Sequence, residues 1–278
     1  MDVNELLEQY EAGERDFRNI NLIGANLAGV DLSEASLREA DLRQANFQGA
    51  KLNGTNLREA NLMGVNFHKA NLREANLIGT NLTRADLSEA NLSLANLSRA
   101  VVERANLEKA NLIEAIASEI RLSWSNLKQA NLSQANLSRA NLSETNLTQA
   151  SLEGANLTIA ILSRSMMEQV NLSNATLNGA NLSNVNLRQS DLSRATMSGS
   201  NLAAADLSKT QLRGTNISWT TMRGTNLQGA SLYRANLGWS NMTGANLTDA
   251  ILMDTNMYRT NLRDAKLSGA IMPDGTPY

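Results

Sequence analysis

Ala130-Asn131-Leu132-Ser133-Gln134 sets a five-residue pattern that returns as Ala25-Asn26-Leu27-Ala28-Gly29 and as Ala245-Asn246-Leu247-Thr248-Asp249. Counted by the central residue, the pattern runs without a slip from Phe17 to Met272, giving 52 units, 40 of them centred on Leu. The other centres are Phe17, Phe47, Phe67, Val102, Ala117, Met167, Met197, Ile217, Met222, Met242, Met257 and Met272, so only Ala117 is not bulky. Two residues before the centre, positions 20 to 270 carry Ala, Ser, Thr or Val in 49 of 51 units, with Ile20 and Ile120 the exceptions. Each unit therefore offers two inward sites, one small and one large.

Few backbones can put the first and third of every five residues inside. An α-helix turns about 100° per residue, so a five-residue step would smear Leu around the whole cylinder. A straight strand alternates with period two and would flip its apolar side from each unit to the next. The chain must instead bend at each unit: small-Asn-Leu forms a short extended piece, and the next two residues turn the corner. Repeated corners wind a solenoid. Gln129, Gln149, Gln169 and Gln189 recur every 20 residues, as do Trp219 with Trp239, Phe47 with Phe67 and Met222 with Met242, whereas Met242, Met257 and Met272 follow a 15-residue spacing. The majority sets four units per coil. That predicts about 13 coils and, at ~4.8 Å per coil, a rod about 60 Å long.

Composition excludes several kinds of chemistry. The 278 residues are 42% hydrophobic but only 4% aromatic, so aliphatic side chains must fill the core. With no Cys there is neither a disulfide framework nor a thiolate nucleophile. The one His, His68, falls on an outer position beside Lys69, which leaves no basis for a His-rich metal site or a catalytic triad. The Gly residues are scattered at corners rather than gathered into a phosphate-binding loop. Neither a catalytic residue, nor a cofactor, nor a metal ligand is expected. The start, Met1-Asp2-Val3-Asn4-Glu5, lacks the basic and apolar order of a secretory leader, and no run of roughly 18 apolar residues occurs. A cytoplasmic protein is the expectation.

The repeat resembles that of the pentapeptide-repeat family, written A(N/D)LXX, over residues 17 to 272. The resemblance implies an all-β fold, a right-handed quadrilateral parallel β-helix with the central Leu and the small residue stacked inside. The ends, Met1 to Arg18 and Ile271-Met272-Pro273-Asp274-Gly275-Thr276, resemble the caps of cyanobacterial members, some of them implicated in heterocyst differentiation. Other relatives protect DNA gyrase by presenting an acidic, DNA-like rod. Here residues 1–20 hold six acids and two bases, leaving 21 acids and 23 bases for the remainder, the opposite of a DNA mimic.

An open solenoid needs capped ends. Val3, Leu6, Leu7 and Tyr10 fall at helical spacing, Asp2 and Glu5 fit a capping box, and Gly13 suits an exit, so residues 3 to 12 are expected to form a capping helix. The expected organisation is a cap and lead-in over 1–16, one solenoid over 17–272 and a tail over 273–278, in which Pro273 terminates the last edge. Asn or Asp precedes the centre in 36 of 52 units, where amides can ladder along the rod.

Two outward irregularities mark candidate sites. On a 20-residue coil Trp219, Trp239 and Arg259 share a column, with Tyr258 beside the last, and Arg213 and Tyr233 share another. Trp, Tyr and Arg are common interface anchors, and residues 209–263 carry six bases against two acids. The second lies between Val101 and Trp124, where Ile116 replaces Asn, Ala117 replaces Leu and Ile120 replaces a small residue. A local distortion is expected there, with Ile116, Ile120 and Trp124 as a recognition notch. The reading is a non-enzymatic scaffold or regulator that binds another protein, monomeric or weakly associating through its ends or faces. A DNA-mimic or nucleic-acid role and a rod without a ligand are the alternatives.

Overall fold

A computed structural model describes residues 1–278. The chain packs as two compact units, Met1–Asn136 and Leu137–Tyr278. No helix is long and apolar enough to cross a membrane.

In the first unit, α1 (Val3–Glu11) opens the chain. Asp2 caps it, its carboxylate accepting the Glu5 amide at 2.9 Å. The reciprocal half of the expected capping box is not made, because the Glu5 carboxylate turns along the helix to accept from Gln9 Nε2 at 3.5 Å. The helix also stops one residue short of the expected end. Gly13, at φ 99°, donates its amide to the Tyr10 carbonyl and releases the chain. Leu6 is wholly buried. Tyr10 reaches across to donate its hydroxyl to the Ser33 carbonyl at 2.9 Å, which ties the helix to the coil beneath it.

From Asp16 onward the unit is built of parallel bridges that join each residue before a centre to its equivalent 20 residues later: Asp16 to Ser36, Asn21 to Asp41, Asn26 to Asn46 and Asp31 to Lys51. Four such columns mean four faces per coil, so the 20-residue period holds and the 15-residue one does not. Each face contributes three inter-coil hydrogen bonds. Leu22 N–H donates to the Asp41 carbonyl, Gly24 N–H to that of Arg43, and Asp41 N–H back to that of Ile20, at 2.8–2.9 Å. A fourth, local bond such as Ala25 N–H to the Leu22 carbonyl closes the corner as a four-residue turn. Its third residue is left-handed whether or not it is Gly, as at Glu39 (φ 58°) and Arg99 (φ 58°). The cost of that conformation, on the order of 1–2 kcal/mol per L-residue, is offset because the same residue donates its amide to the next coil, Glu39 to Arg58 O and Arg99 to Ser118 O.

The expected distortion near Ala117 is absent. Ile116 keeps its bridges to Asn96 and Asn136, and Val101 keeps its bridge to Arg121. Ala117 N–H still donates to the Asn136 carbonyl at 2.8 Å. Ile120 is wholly buried at the small inward site three residues after Ala117, so a large side chain enters the core in the same turn as the small centre. Ile116, 45% exposed, points outward and fills nothing inside.

The second unit repeats the same ladder from the Asn141–Ile161 bridge to the Ile251–Ile271 bridge. Its small site is often hydroxylated, and these side chains are buried against carbonyls: Thr210 donates to Leu207 O, Thr215 to Leu192 O and Thr225 to Leu202 O, at 2.7–2.9 Å. Thr thus substitutes for Ala without leaving a polar atom unmet. At the far end the tail folds back. Ile271 pairs antiparallel with Pro277, and Tyr278 N–H donates to the Ala270 carbonyl at 2.9 Å. It covers that face alone, leaving Met257, Leu262 and Met272 half-exposed.

Candidate functional site

The aromatic column stands on one corner of the second unit. Trp219 and Trp239 occupy the left-handed turn position, at φ 59° and 63°, which aims each indole away from the core. Their rings stack at 4.8 Å between centroids, 5° from parallel. The separation equals the coil spacing, so the stack is a direct product of the 20-residue period. Arg259 continues the column, with its guanidinium carbon 4.4 Å from the Trp239 ring centre and 5.3 Å from that of Tyr258. Tyr258 meets Trp239 edge-on at 5.9 Å. Trp219, Trp239 and Tyr258 remain 61%, 40% and 60% exposed.

On the preceding corner Arg213 lies 5.5 Å over Tyr233. The structure adds Arg234, which was not among the expected residues. It sits 4.9 Å from the Tyr233 ring centre and reaches Asp254 at 3.4 Å. Trp219, Trp239, Tyr258 and Arg259 therefore come together as one cluster, with Arg213 and Tyr233 as a second pair one corner away.

The other expected set does not hold together. Ile120 is buried and unable to touch a partner, because the small site two residues before each centre always faces inward. Ile116 is exposed on a flat face, while Trp124, 52% exposed, stands on a corner with Arg104 5.5 Å from its ring centre.

A feature missed in the sequence lies in the first unit. Ile23, Arg43, Gln44, Met63, Gly64 and Arg84 line an open hollow of about 370 Å³. Ile23 and Met63 stand at a corner position usually filled by Ser or Arg, a signal that becomes readable once the 20-residue column is known. His68 Nδ1 is hydrogen-bonded to Ser88 Oγ at 2.9 Å, and the Ser88 hydroxyl donates onward to Asp86 Oδ1. No group of three or more His, Asp or Glu side chains is placed to hold a metal ion.

A parallel four-sided β-solenoid with outward-facing corners defines the class of protein. The family profile described as Pentapeptide repeats matches overlapping or abutting stretches from 16–53 to 230–269, together covering 16–269. The chain belongs to the pentapeptide-repeat family. It is similar to HetL, a pentapeptide repeat protein involved in heterocyst differentiation regulation from the cyanobacterium Nostoc sp. strain PCC 7120, at 30% identity over 100% of both chains, with a TM-score of 0.23. Rfr23 from the cyanobacterium Cyanothece 51142 is 43% identical over 33% of this chain and 58% of its own, with a TM-score of 0.24. QnrB1, a plasmid-mediated fluoroquinolone resistance protein, is 17% identical over 74% of this chain and 92% of its own, with a TM-score of 0.37. A search of curated proteins finds no match.

Proposed function

We propose that this protein is a non-enzymatic scaffold or regulator that binds another protein through the corner bearing Trp219, Trp239, Tyr258 and Arg259, aided by Arg213 and Tyr233. The observation that carries the reading is the stacked, outward-facing aromatic column capped by an Arg. Trp and Tyr bring large areas at low conformational cost, and Arg adds a planar charged group that stacks on rings and pairs with acids, which is why these residues anchor interfaces. The regulatory part of the reading draws on full-length similarity to HetL, whose described role is in regulation of differentiation. Right-handed coiling is the hand that family membership implies.

Affinity capture from the source organism's lysate tests this, comparing wild type with a Trp219→Ala, Trp239→Ala, Arg259→Ala triple variant checked for folding by circular dichroism. A partner kept by wild type and lost by the variant is the expected result. Equal retention by both baits would remove the aromatic corner from the reading.

A further inference from the structure

The corner column that carries the stacked indoles reads, coil by coil, Ile159, Gly179, Gly199, Trp219, Trp239, Arg259. Parallel bridges run unbroken beside it from Ile161 through Asn181, Asn201, Thr221 and Asn241 to Asn261, so each residue lies one layer above the last. Two neighbouring layers are therefore empty, and the next two hold large rings. A Cβ built on Gly199 would meet nothing within 4 Å, and one on Gly179 would only touch Ile159 Cγ1 at 3.6 Å. The turn does not require glycine there. Gly179 and Gly199 have φ 66° and 68°, and Trp219 and Trp239 hold the equivalent position at 59° and 63°. The result is a notch two layers tall, walled by Ile159, 55% exposed, and by the uncovered face of Trp219.

Two knobs beside two holes on one line are complementary to the same line read backwards. Consider a second copy turned end for end, about a two-fold axis perpendicular to the solenoid axis and level with the gap between the Gly199 and Trp219 layers. It sets its Trp219 over Gly199 and its Trp239 over Gly179, and receives the first copy's rings in return. Layers of both copies repeat at the 4.8 Å of the existing pair, so the four indoles form one stack with the two Trp219 rings at its centre. At each end Arg259 of one copy meets Ile159 of the other, so no like charges are opposed. Parallel copies would instead set Trp219 against Trp219 and leave the glycine layers facing one another, empty.

The lack of charge points the same way. Among the 18 outward residues of this corner and its two flanking columns, between Thr158 and Asn261, Arg259 alone is charged, whereas the 18 of the next corner, between Ser163 and Lys266, include six charged residues. Interface cores are depleted in charge, and a polyanion would find a single cation here. Six layers at the coil spacing make a strip about 25–30 Å long and roughly 15 Å wide, or about 400 Å² from each copy, half of what a stable interface buries. The pair is therefore weak and depends on concentration.

We infer that this corner docks antiparallel on the same corner of a second copy of the chain, with Trp219 and Trp239 of each seated on Gly199 and Gly179 of the other. The inference rests on the binding corner proposed above and names its occupant.

Sedimentation equilibrium of the full chain reads the association, with a Kd on the order of 0.1 mM expected. Two double variants, checked for folding by circular dichroism, test the register. Trp219→Gly with Trp239→Gly leaves four holes and no knob, and Gly179→Trp with Gly199→Trp leaves four knobs and no hole. Each alone should associate at least about 10-fold more weakly than wild type. Mixed one to one, they again set every ring over a glycine and should pair with each other about as wild type does. Three results would overturn the pairing: wild type monomeric at about 1 mM, either double variant pairing alone as well as wild type, or a mixture that pairs no better than its components. Failure of the pairing stays separable from failure of the corner. If wild type is monomeric but a lysate protein is kept by it and lost by the triple variant, the pairing falls and the corner stands. If wild type is monomeric and both baits retain the same proteins, both fall.

Discussion

The indoles of Trp219 and Trp239 stack one coil apart, 4.8 Å between centroids and 5° from parallel, on a corner that projects them into solvent. Rings stacked at this distance shield one another through their ring currents. The ring protons of Trp219 and Trp239 are therefore expected upfield of their ordinary positions. Trp219→Ala should return the Trp239 signals, and Trp239→Ala the Trp219 signals, toward those positions, while Trp124→Ala should leave both in place. Trp239 signals that do not move on Trp219→Ala would mean the rings do not stack in solution. Because both rings are largely exposed, Trp219→Ala should lower stability by no more than about 0.5–1.5 kcal/mol.

Ala117 and Ile120 exchange the usual sizes of two inward sites three residues apart, and both are buried. Ile120→Ala alone should open a cavity and cost about 2–5 kcal/mol, and Ala117→Leu alone should overpack at about 1–3 kcal/mol. The double variant restores the ordinary arrangement of the repeat and should recover most of both losses. Urea unfolding of the four proteins measures the coupling, and strict additivity would mean that the two sites do not share volume.

Much of this was readable because the physical constraint is local and repeated. Leu two residues after a small residue, every five, leaves one class of backbone, and the columns at 20 residues place Trp219 over Trp239 before any coordinates exist. What resisted reading was of two kinds. The left-handed corner residue is conventionally marked by Gly, yet here Glu39, Arg99 and Trp219 occupy it, since inter-coil hydrogen bonding, not intrinsic preference, decides the conformation. Empty space was the other. The hollow at Gly64 is an absence of side chain, visible only against the columns that surround it. Ile120 was legible as an inward residue, and its use as part of a recognition notch conflicted with that position.

The Asn before each centre has two structural tasks. Asn46 Nδ2 donates to Asn26 Oδ1 at 3.0 Å, while its own Oδ1 accepts from Asn66 Nδ2 at 3.0 Å and from the Gln48 amide at 3.1 Å. Asn46→Ala breaks all three bonds and should cost about 1–3 kcal/mol, part of it from the half-buried Asn66 left without its acceptor. Asn46→Asp keeps both acceptances and loses only the donation, so it should cost less. A chemical-denaturation midpoint lower for Asp than for Ala would show that the ladder contributes little.

Acid should weaken the first unit through particular carboxylates. The Asp41 carboxyl is held below its ordinary range chiefly by hydrogen bonds from the Arg43 side chain, at 2.8 and 2.7 Å. That of Asp31 is lowered first by the Ser33 hydroxyl and amide, then by Lys51. A carboxyl whose pKa is lower folded than unfolded stabilises the fold fully above the unfolded value of about 3.9, and that contribution is lost as pH falls through the folded value. Stability should thus decline from roughly pH 4 downward. Arg43 is 44% exposed, so solvent screening limits its pair with Asp41 to at most about 1 kcal/mol. Asp41→Asn cannot titrate, and should start lower at neutral pH and fall less on acidification. Ser33→Ala should also shrink the fall, by returning Asp31 toward its ordinary pKa. Urea midpoints at pH 7 and pH 3 decide the matter, and an acid-induced drop of the same size in wild type and both variants would place the sensitivity elsewhere.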